Sequence, residues 1–132
     1  EGTGDNFFII KDGVVITPEG RDILRGVSRE YVMTELCPAL GIPVIEKNID
    51  PYDVYTADEA FITGTPFCML PVTSLNGLDI GDGTVGSVFS QLINCWGANA
   101  GVDIARQIQK WDSERPESND DNAPTPYRFS NK

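Results

Sequence analysis

The stretch FFIIKDGVVIT, Phe7 to Thr17, sets two short β-rich runs on either side of Lys11-Asp12-Gly13. Asp-Gly supplies the positive φ angles of a tight hairpin turn, so the chain doubles back on itself here. An antiparallel pair this early excludes a purely parallel sheet. Just before it stands EGTGDN, Glu1 to Asn6, a carboxylate at the head of a Gly-x-Gly turn with no initiator methionine and no leader. The expectation is that the chain has been cut at this point. No strand precedes the motif and a hairpin rather than a helix follows, so it is not a dinucleotide fingerprint. Taken by spacing, Glu1 reads first as a solvated surface acid.

Downstream, PEGRDILRG (18–26) is a charged, glycine-bearing loop, and VSREYVMTELCPALG carries apolar residues at 32, 33, 36 and 40. That spacing predicts a helix, with Ser28 as N-cap, Pro38 straining the last turn and Gly41 closing it. IPVIEKNI (42–49) reads as a strand, and Asp50-Pro51 as the cap and first position of a short helix. EAFITGTPFCMLPVTSLNG then gives a strand, a tight Gly64-Thr65-Pro66 loop, a second strand and an Asn76-Gly77 turn. From Thr84 to Trp111 an amphipathic period predicts one long helix that Gly97 and Gly101 weaken and could split. Residues 112–132 hold three prolines and little apolar content, a polar, acidic tail without a core of its own. The body, residues 1–111, is therefore expected to be α/β, a mixed sheet with flanking helices.

Ten Lys plus Arg against twenty Asp plus Glu leave a net charge of -10. That balance argues against nucleic acid or an anionic membrane as partner. No apolar run reaches the ~18 residues of a membrane span. Cys37, Cys68 and Cys95 are odd in number and far apart, which fits free thiols in a reducing cytoplasm. Histidine is absent. This removes Ser-His and Cys-His nucleophiles and most zinc sites, and no metal is expected.

Two loops could hold an anion. In LRGVSRE (24–30), backbone N–H groups at Val27 and Ser28, the Ser28 hydroxyl and a helix N-terminus together suit a phosphate, although capping alone explains the pattern. In ITGTPFC (62–68), Gly64-Thr65 at a strand end offers an amide and a hydroxyl, although an ordinary turn would do as well. Two such loops in one small domain favour one shared phosphate.

In order, EGTGDNFFIIKDGVVITP, ILRGVSREYV, LGIPVIEKNI, YTADEAFITGT and LPVTSLNGLDIGDGTVG resemble the C-terminal domain of the class IV (fold type IV) pyridoxal-phosphate enzymes. This family holds branched-chain and D-amino-acid aminotransferases, R-selective amine transaminases and aminodeoxychorismate lyases. The resemblance spans residues 1 to about 96, five blocks in family order, and implies the mixed-sheet, pseudo-barrel fold of that domain. It implies pyridoxal 5'-phosphate as cofactor, with Glu1 on the pyridine nitrogen and Leu24 against the ring face. It further implies Gly26, Val27, Ser28, Gly64 and Thr65 around the phosphate, and Thr65, Pro66 and Phe67 at the substrate. Where many members have a small residue after that threonine, this chain has Pro66, which has no N–H, followed by bulky Phe67, which enlarges the pocket wall. The Schiff-base lysine of the family lies upstream of the first block, and none of Lys11, Lys47, Lys110 or Lys132 matches it. The expectation is a half-enzyme that needs its N-terminal half, works on an amino acid and a 2-oxo acid, and forms a homodimer. The alternatives are an aminodeoxychorismate lyase and a non-catalytic phosphate-ligand binding domain.

Overall fold

The computed structural model describes residues 1–21 and 23–114. The tail, with Tyr127 and Phe129, lies outside them apart from its first three positions. The hairpin forms as its turn chemistry requires: β1 (Asn6–Lys11) pairs antiparallel with β2 (Val14–Thr17), with Asp12 at φ 50° and Gly13 at φ 75°. On its other side β1 pairs antiparallel with β4 (Glu59–Gly64), which pairs with β5 (Cys68–Val72). β3 (Val44–Glu46) joins β2 in parallel, which gives a mixed sheet of order β3-β2-β1-β4-β5. A two-stranded ribbon, β6 (Ser74–Leu75) and β7 (Leu78–Asp79), turns at Asn76-Gly77. The α/β class with a mixed sheet is as expected. The strand foreseen over 42–49 shrinks to 44–46.

Both faces of β1 are covered, which is why FFII is unbroken by polar residues. One face buries Phe8, Ile10, Phe61 and Met69 against Val32, Leu36, Phe89 and Leu92. Phe8 and Phe61, cross-strand partners, stack with centroids 4.6 Å apart. The other face sets Ile9 and Ala60 against Val54, Ala57 and Ile80. Val54 belongs to α3 (Pro51–Tyr55), where Asp50 and Asp53 exchange side-chain-to-backbone bonds in a reciprocal cap.

The helical segment departs from its expected start. α1 (Val27–Tyr31) is entered from Gly26, and Ser28 lies inside the first turn with no side-chain cap. A cap residue must stand in extended geometry just before the helix, and Gly26 (φ -64°, ψ 140°) is the residue that does. α1 continues through a wider, π-type turn, Val32–Leu36, into α2 (Cys37–Leu40), and Gly41 (φ 66°) ends the run. Pro38 cannot donate to Thr34 and its ring crowds that carbonyl, so the widened turn falls where the proline demands it.

The long helix divides into α4 (Ser87–Ala100) and α5 (Ile104–Ser113). Gly101, left-handed at φ 70°, makes the break. Gly97 stays helical for a different reason: a Cβ there would lie 2.6 Å from the Val102 carbonyl oxygen. α4 is fastened to the sheet by Glu59, whose carboxylate oxygens accept from the Val88 and Phe89 N–H groups, both at 2.9 Å. A Cβ on Gly86 would fall 1.8 Å from the Glu59 carboxyl carbon, so position 86 has no room for a side chain. Among the described residues, no helix is long and apolar enough to cross a membrane.

Arg29, buried in α1, ties this helix to β3. Its guanidinium donates to Glu46 Oε1 at 2.6 Å and to the Pro18 carbonyl at 2.8 Å. The hydrogen bond from Arg29 holds the Glu46 carboxyl below its ordinary range, with the Gly20 N–H as a smaller contributor. A carboxylate whose folded value is lowered stabilises the fold above its unfolded value of about 4.3 and loses that contribution as the pH falls through the folded one. Because the Glu46 side chain is 45% exposed, the pair contributes at most about 1 kcal/mol. Glu46→Gln is expected to lower stability by that amount at pH 7, with the gap to the parent closing below about pH 4. Urea unfolding at pH 7 and pH 3.5 measures it; an equal loss at both would mean the ion pair carries none of the effect.

Candidate functional site

The site follows from strand register. Asn6 opens β1 and Thr63 nearly ends β4, and these two are cross-strand partners, so the start of one strand and the end of the other meet at the same end of the sheet. α1 begins at that end, because Leu24, just before it, is held beside Asn6 at the start of β1. A cleft of about 130 Å³ results, lined by Glu1 to Asn6, by Leu24, Gly26, Val27 and Ser28, and by Thr63, Gly64 and Thr65. Seven residues singled out from the sequence, Glu1, Leu24, Gly26, Val27, Ser28, Gly64 and Thr65, are thereby brought together. Pro66 and Phe67 lie outside it. They line a second hollow of about 260 Å³ with Cys68, Ile104, Ile108 and Trp111, which shares only Thr65 with the first. The cause is the Phe67 ring, which packs over Gly64: a Cβ there would be 2.7 Å from Phe67 Cζ.

At one end of the cleft stands a carboxylate held from two sides. Glu1 Oε2 accepts from Asn6 Nδ2 at 2.7 Å, and Glu1 Oε1 accepts from the Leu24 N–H at 3.2 Å. Asn6 Nδ2 also donates to the Leu24 carbonyl at 2.8 Å. Glu1 is thus fixed in orientation yet exposed to a ligand. Leu24 projects an exposed side chain (76%) beside it, an apolar surface on which a flat ring could rest.

At the other end are donors without acceptors. The first N–H groups of a helix have no intrahelical partner, and no side chain caps those of α1. Thr63 is 1% exposed, lines the cleft, and its hydroxyl has no hydrogen-bond partner. A buried hydroxyl left unpaired costs about 1–3 kcal/mol, and the Thr63 oxygen is covered on all sides among the described residues. Free amides at a helix start beside the Ser28 and Thr65 side chains suit an anion, and the carboxylate opposite suits a protonated ring nitrogen. One compact molecule with both ends, a phosphate and a basic ring, fits the set. The volume, about 130 Å³, is below the ~300 Å³ of a small ligand pocket.

Sequence reasoning missed Asn6 and Thr63. The signal for Asn6 was present, since asparagine is a poor strand former and here opens a run of FFII. Thr63 gave none, threonine being ordinary in strands.

The lysines described are engaged elsewhere: Lys11 with the Thr56 carbonyl and Asp58, Lys47 with Asp53, Lys110 with Glu114. None of them lines the cleft. All three cysteines are free, and burial pushes the Cys37 thiol up to about 11 and raises Cys68 as well, which keeps both from thiolate chemistry.

Residues 1–75 match the model of the amino-transferase class IV family. The branched-chain-amino-acid aminotransferase of Pseudomonas aeruginosa is 45% identical over 92 residues, 70% of this chain and 30% of that protein. The probable branched-chain-amino-acid aminotransferase of Aquifex aeolicus is 43% identical over 112 residues, 84% of this chain and 36% of that one. The chain therefore spans about a third of the length of the curated relatives it matches. The crystal structure of the Escherichia coli branched-chain amino acid aminotransferase superposes with a TM-score of 0.68 at 36% identity, covering 76% of this chain and 33% of that one. That of the T.th. branched-chain amino acid aminotransferase with pyridoxamine 5'-phosphate gives 0.70 at 31%, covering 84% and 36%.

Proposed function

The chain belongs to the class IV aminotransferases, and from that premise we propose that it is the cofactor-holding portion of a pyridoxal-phosphate transaminase that moves an amino group between an amino acid and a 2-oxo acid. The observation that carries the reading is the one cleft lined by an oriented Glu1 carboxylate, by the exposed Leu24 side chain and by the N–H groups that begin α1. When bound, the cofactor supplies an electron sink for the carbanion formed at the amino acid. In this reading Glu1 holds a proton on the ring nitrogen, and Asn6 and Leu24 fix the plane of its carboxylate. Val27, Ser28 and Thr65 would hold the phosphate by N–H and O–H donation, and Leu24 would lie against the ring.

The nucleophilic amine is assigned to a segment outside the described residues, since none of Lys11, Lys47 and Lys110 lines the cleft. The modest share of the relatives' length supports this, and residues 1–111 are then the cofactor-binding domain of a larger enzyme. The reading extends to branched-chain amino acids as the donor class, supported by the names of the relatives. It also extends to a homodimer in which a neighbour completes the cleft, supported by exposed Leu24 and Val27 at its rim. The free thiols support a reducing, cytoplasmic setting.

The intact protein loaded with pyridoxal phosphate is expected to convert an L-branched-chain amino acid to its 2-oxo acid only when 2-oxoglutarate is supplied as acceptor. Product release without an acceptor would indicate a lyase. Failure to take up the cofactor would overturn the proposal.

A further inference from the structure

We propose that Asn6 is a positioning residue that couples the two ends of the cleft, so that the orientation of the Glu1 carboxylate and the shape of the anion-binding loop are set by one side chain. The inference rests on the cofactor reading above and assigns a role that none of the seven residues singled out from the sequence has.

Asn6 is 5% exposed, and a carboxamide has two N–H bonds to give. Both are used within the protein, one on Glu1 Oε2 at 2.7 Å and one on the Leu24 carbonyl at 2.8 Å. No donor remains for a ligand, so Asn6 acts through its neighbours. Its Oδ1 points at Gly26, where a Cβ would lie only 2.2 Å away. One planar group therefore touches the acid at the ring end, the carbonyl of Leu24, and the residue that opens α1 at the phosphate end. The Leu24 N–H returns to Glu1 Oε1, and the Gly26 N–H bonds the Leu24 carbonyl at 2.9 Å, which closes the loop of contacts. The residue type is specific: aspartate would set a third acceptor against Glu1 and the Leu24 carbonyl, and leucine would supply no donor to either. The register sets the Asn6 backbone opposite Thr63, and the two hydrogen bonds hold its carboxamide in place.

The test uses the intact protein with pyridoxamine 5'-phosphate as probe, reading both affinity and the pH titration of the bound ring by ultraviolet absorbance. Asn6→Ala and the isosteric Asn6→Asp are expected to weaken binding by roughly ten- to a hundredfold, the size of a lost hydrogen bond to a charged group. Asn6→Ala is also expected to move the ring titration toward its value for the free cofactor. In a Glu1→Gln background, Asn6→Ala is expected to move the titration no further, because the effect passes through Glu1. Asn6→Ser, with one short donor, should fall between, and it serves if Asn6→Ala does not fold. Variants that lose thermal stability while the bound ring titrates as in the parent would overturn the inference and leave Asn6 a structural residue. A parent protein that does not bind the probe would instead overturn the cofactor reading.

Discussion

Replacing Glu1 by glutamine is expected to lower the turnover of the intact enzyme by about two to three orders of magnitude, the usual cost of losing one preorganised electrostatic partner. The substitution is nearly isosteric and removes the charge that would hold a proton on the ring nitrogen. It also turns a group that accepts on both oxygens into one with a single acceptor, so either Asn6 Nδ2 or the Leu24 N–H, now 2.7 and 3.2 Å from carboxylate oxygens, faces another donor. Stability should fall by only about 1 kcal/mol, because the contact is partly exposed. Glu1→Asp keeps the charge but withdraws it by one methylene and should recover part of the rate. Turnover measured alongside cofactor content separates the two roles. A glutamine variant that turns over at the parental rate would remove Glu1 from the chemistry.

Gly26→Ala is expected to be the most damaging single change in the anion-binding loop. Gly26 has ordinary extended backbone angles, which any residue adopts, so its requirement is steric and not conformational. The added methyl would sit 2.2 Å from Asn6 Oδ1, against a side chain pinned by two hydrogen bonds. Either Asn6 releases Glu1 and Leu24 or α1 moves away from the cleft, and overpacking of this kind costs about 1–3 kcal/mol. Binding of pyridoxamine 5'-phosphate should weaken at least as much as in Asn6→Ala. The cost is expected to be non-additive: in an Asn6→Ala background the methyl has room, and the added loss from Gly26→Ala should largely vanish. Denaturant unfolding of the two single variants and the double variant decides it, and simple additivity would show that the clash is relieved elsewhere.

Much of this architecture was legible in local chemistry. Asp12-Gly13, Asn76-Gly77 and Gly41 adopt the positive φ angles that their residue types announce, and Asp50-Pro51 starts a helix as its cap pattern says. Those features depend on a few neighbouring residues. What was not legible depends on who arrives from far away. Ser28 looked like a cap and is not one, because Leu24 is held beside Asn6 and the extended residue before the helix is Gly26. Gly97 and Gly101 looked alike as weak points in a helix, yet only Gly101 breaks it, while Gly97 is retained for the close approach of Val102. Asn6 could be suspected as an odd strand residue, but its function needs Leu24, eighteen positions on, to be beside it. The side on which Phe67 lies is decided by packing over Gly64 and cannot be read from the order Gly-Thr-Pro-Phe.

The Glu59 clamp on α4 has a consequence for how such a chain can change over time. Its carboxylate occupies the space where a side chain at position 86 would stand, so the two sites form one evolutionary unit. A lineage that fills position 86 must first give up the acid at 59, and with it the fastening of α4 to the sheet. A lineage that loses the acid first releases the constraint on 86 but leaves the Val88 and Phe89 N–H groups without their acceptors. What position 86 can hold is therefore governed by a residue on β4, nearly thirty positions earlier in the chain.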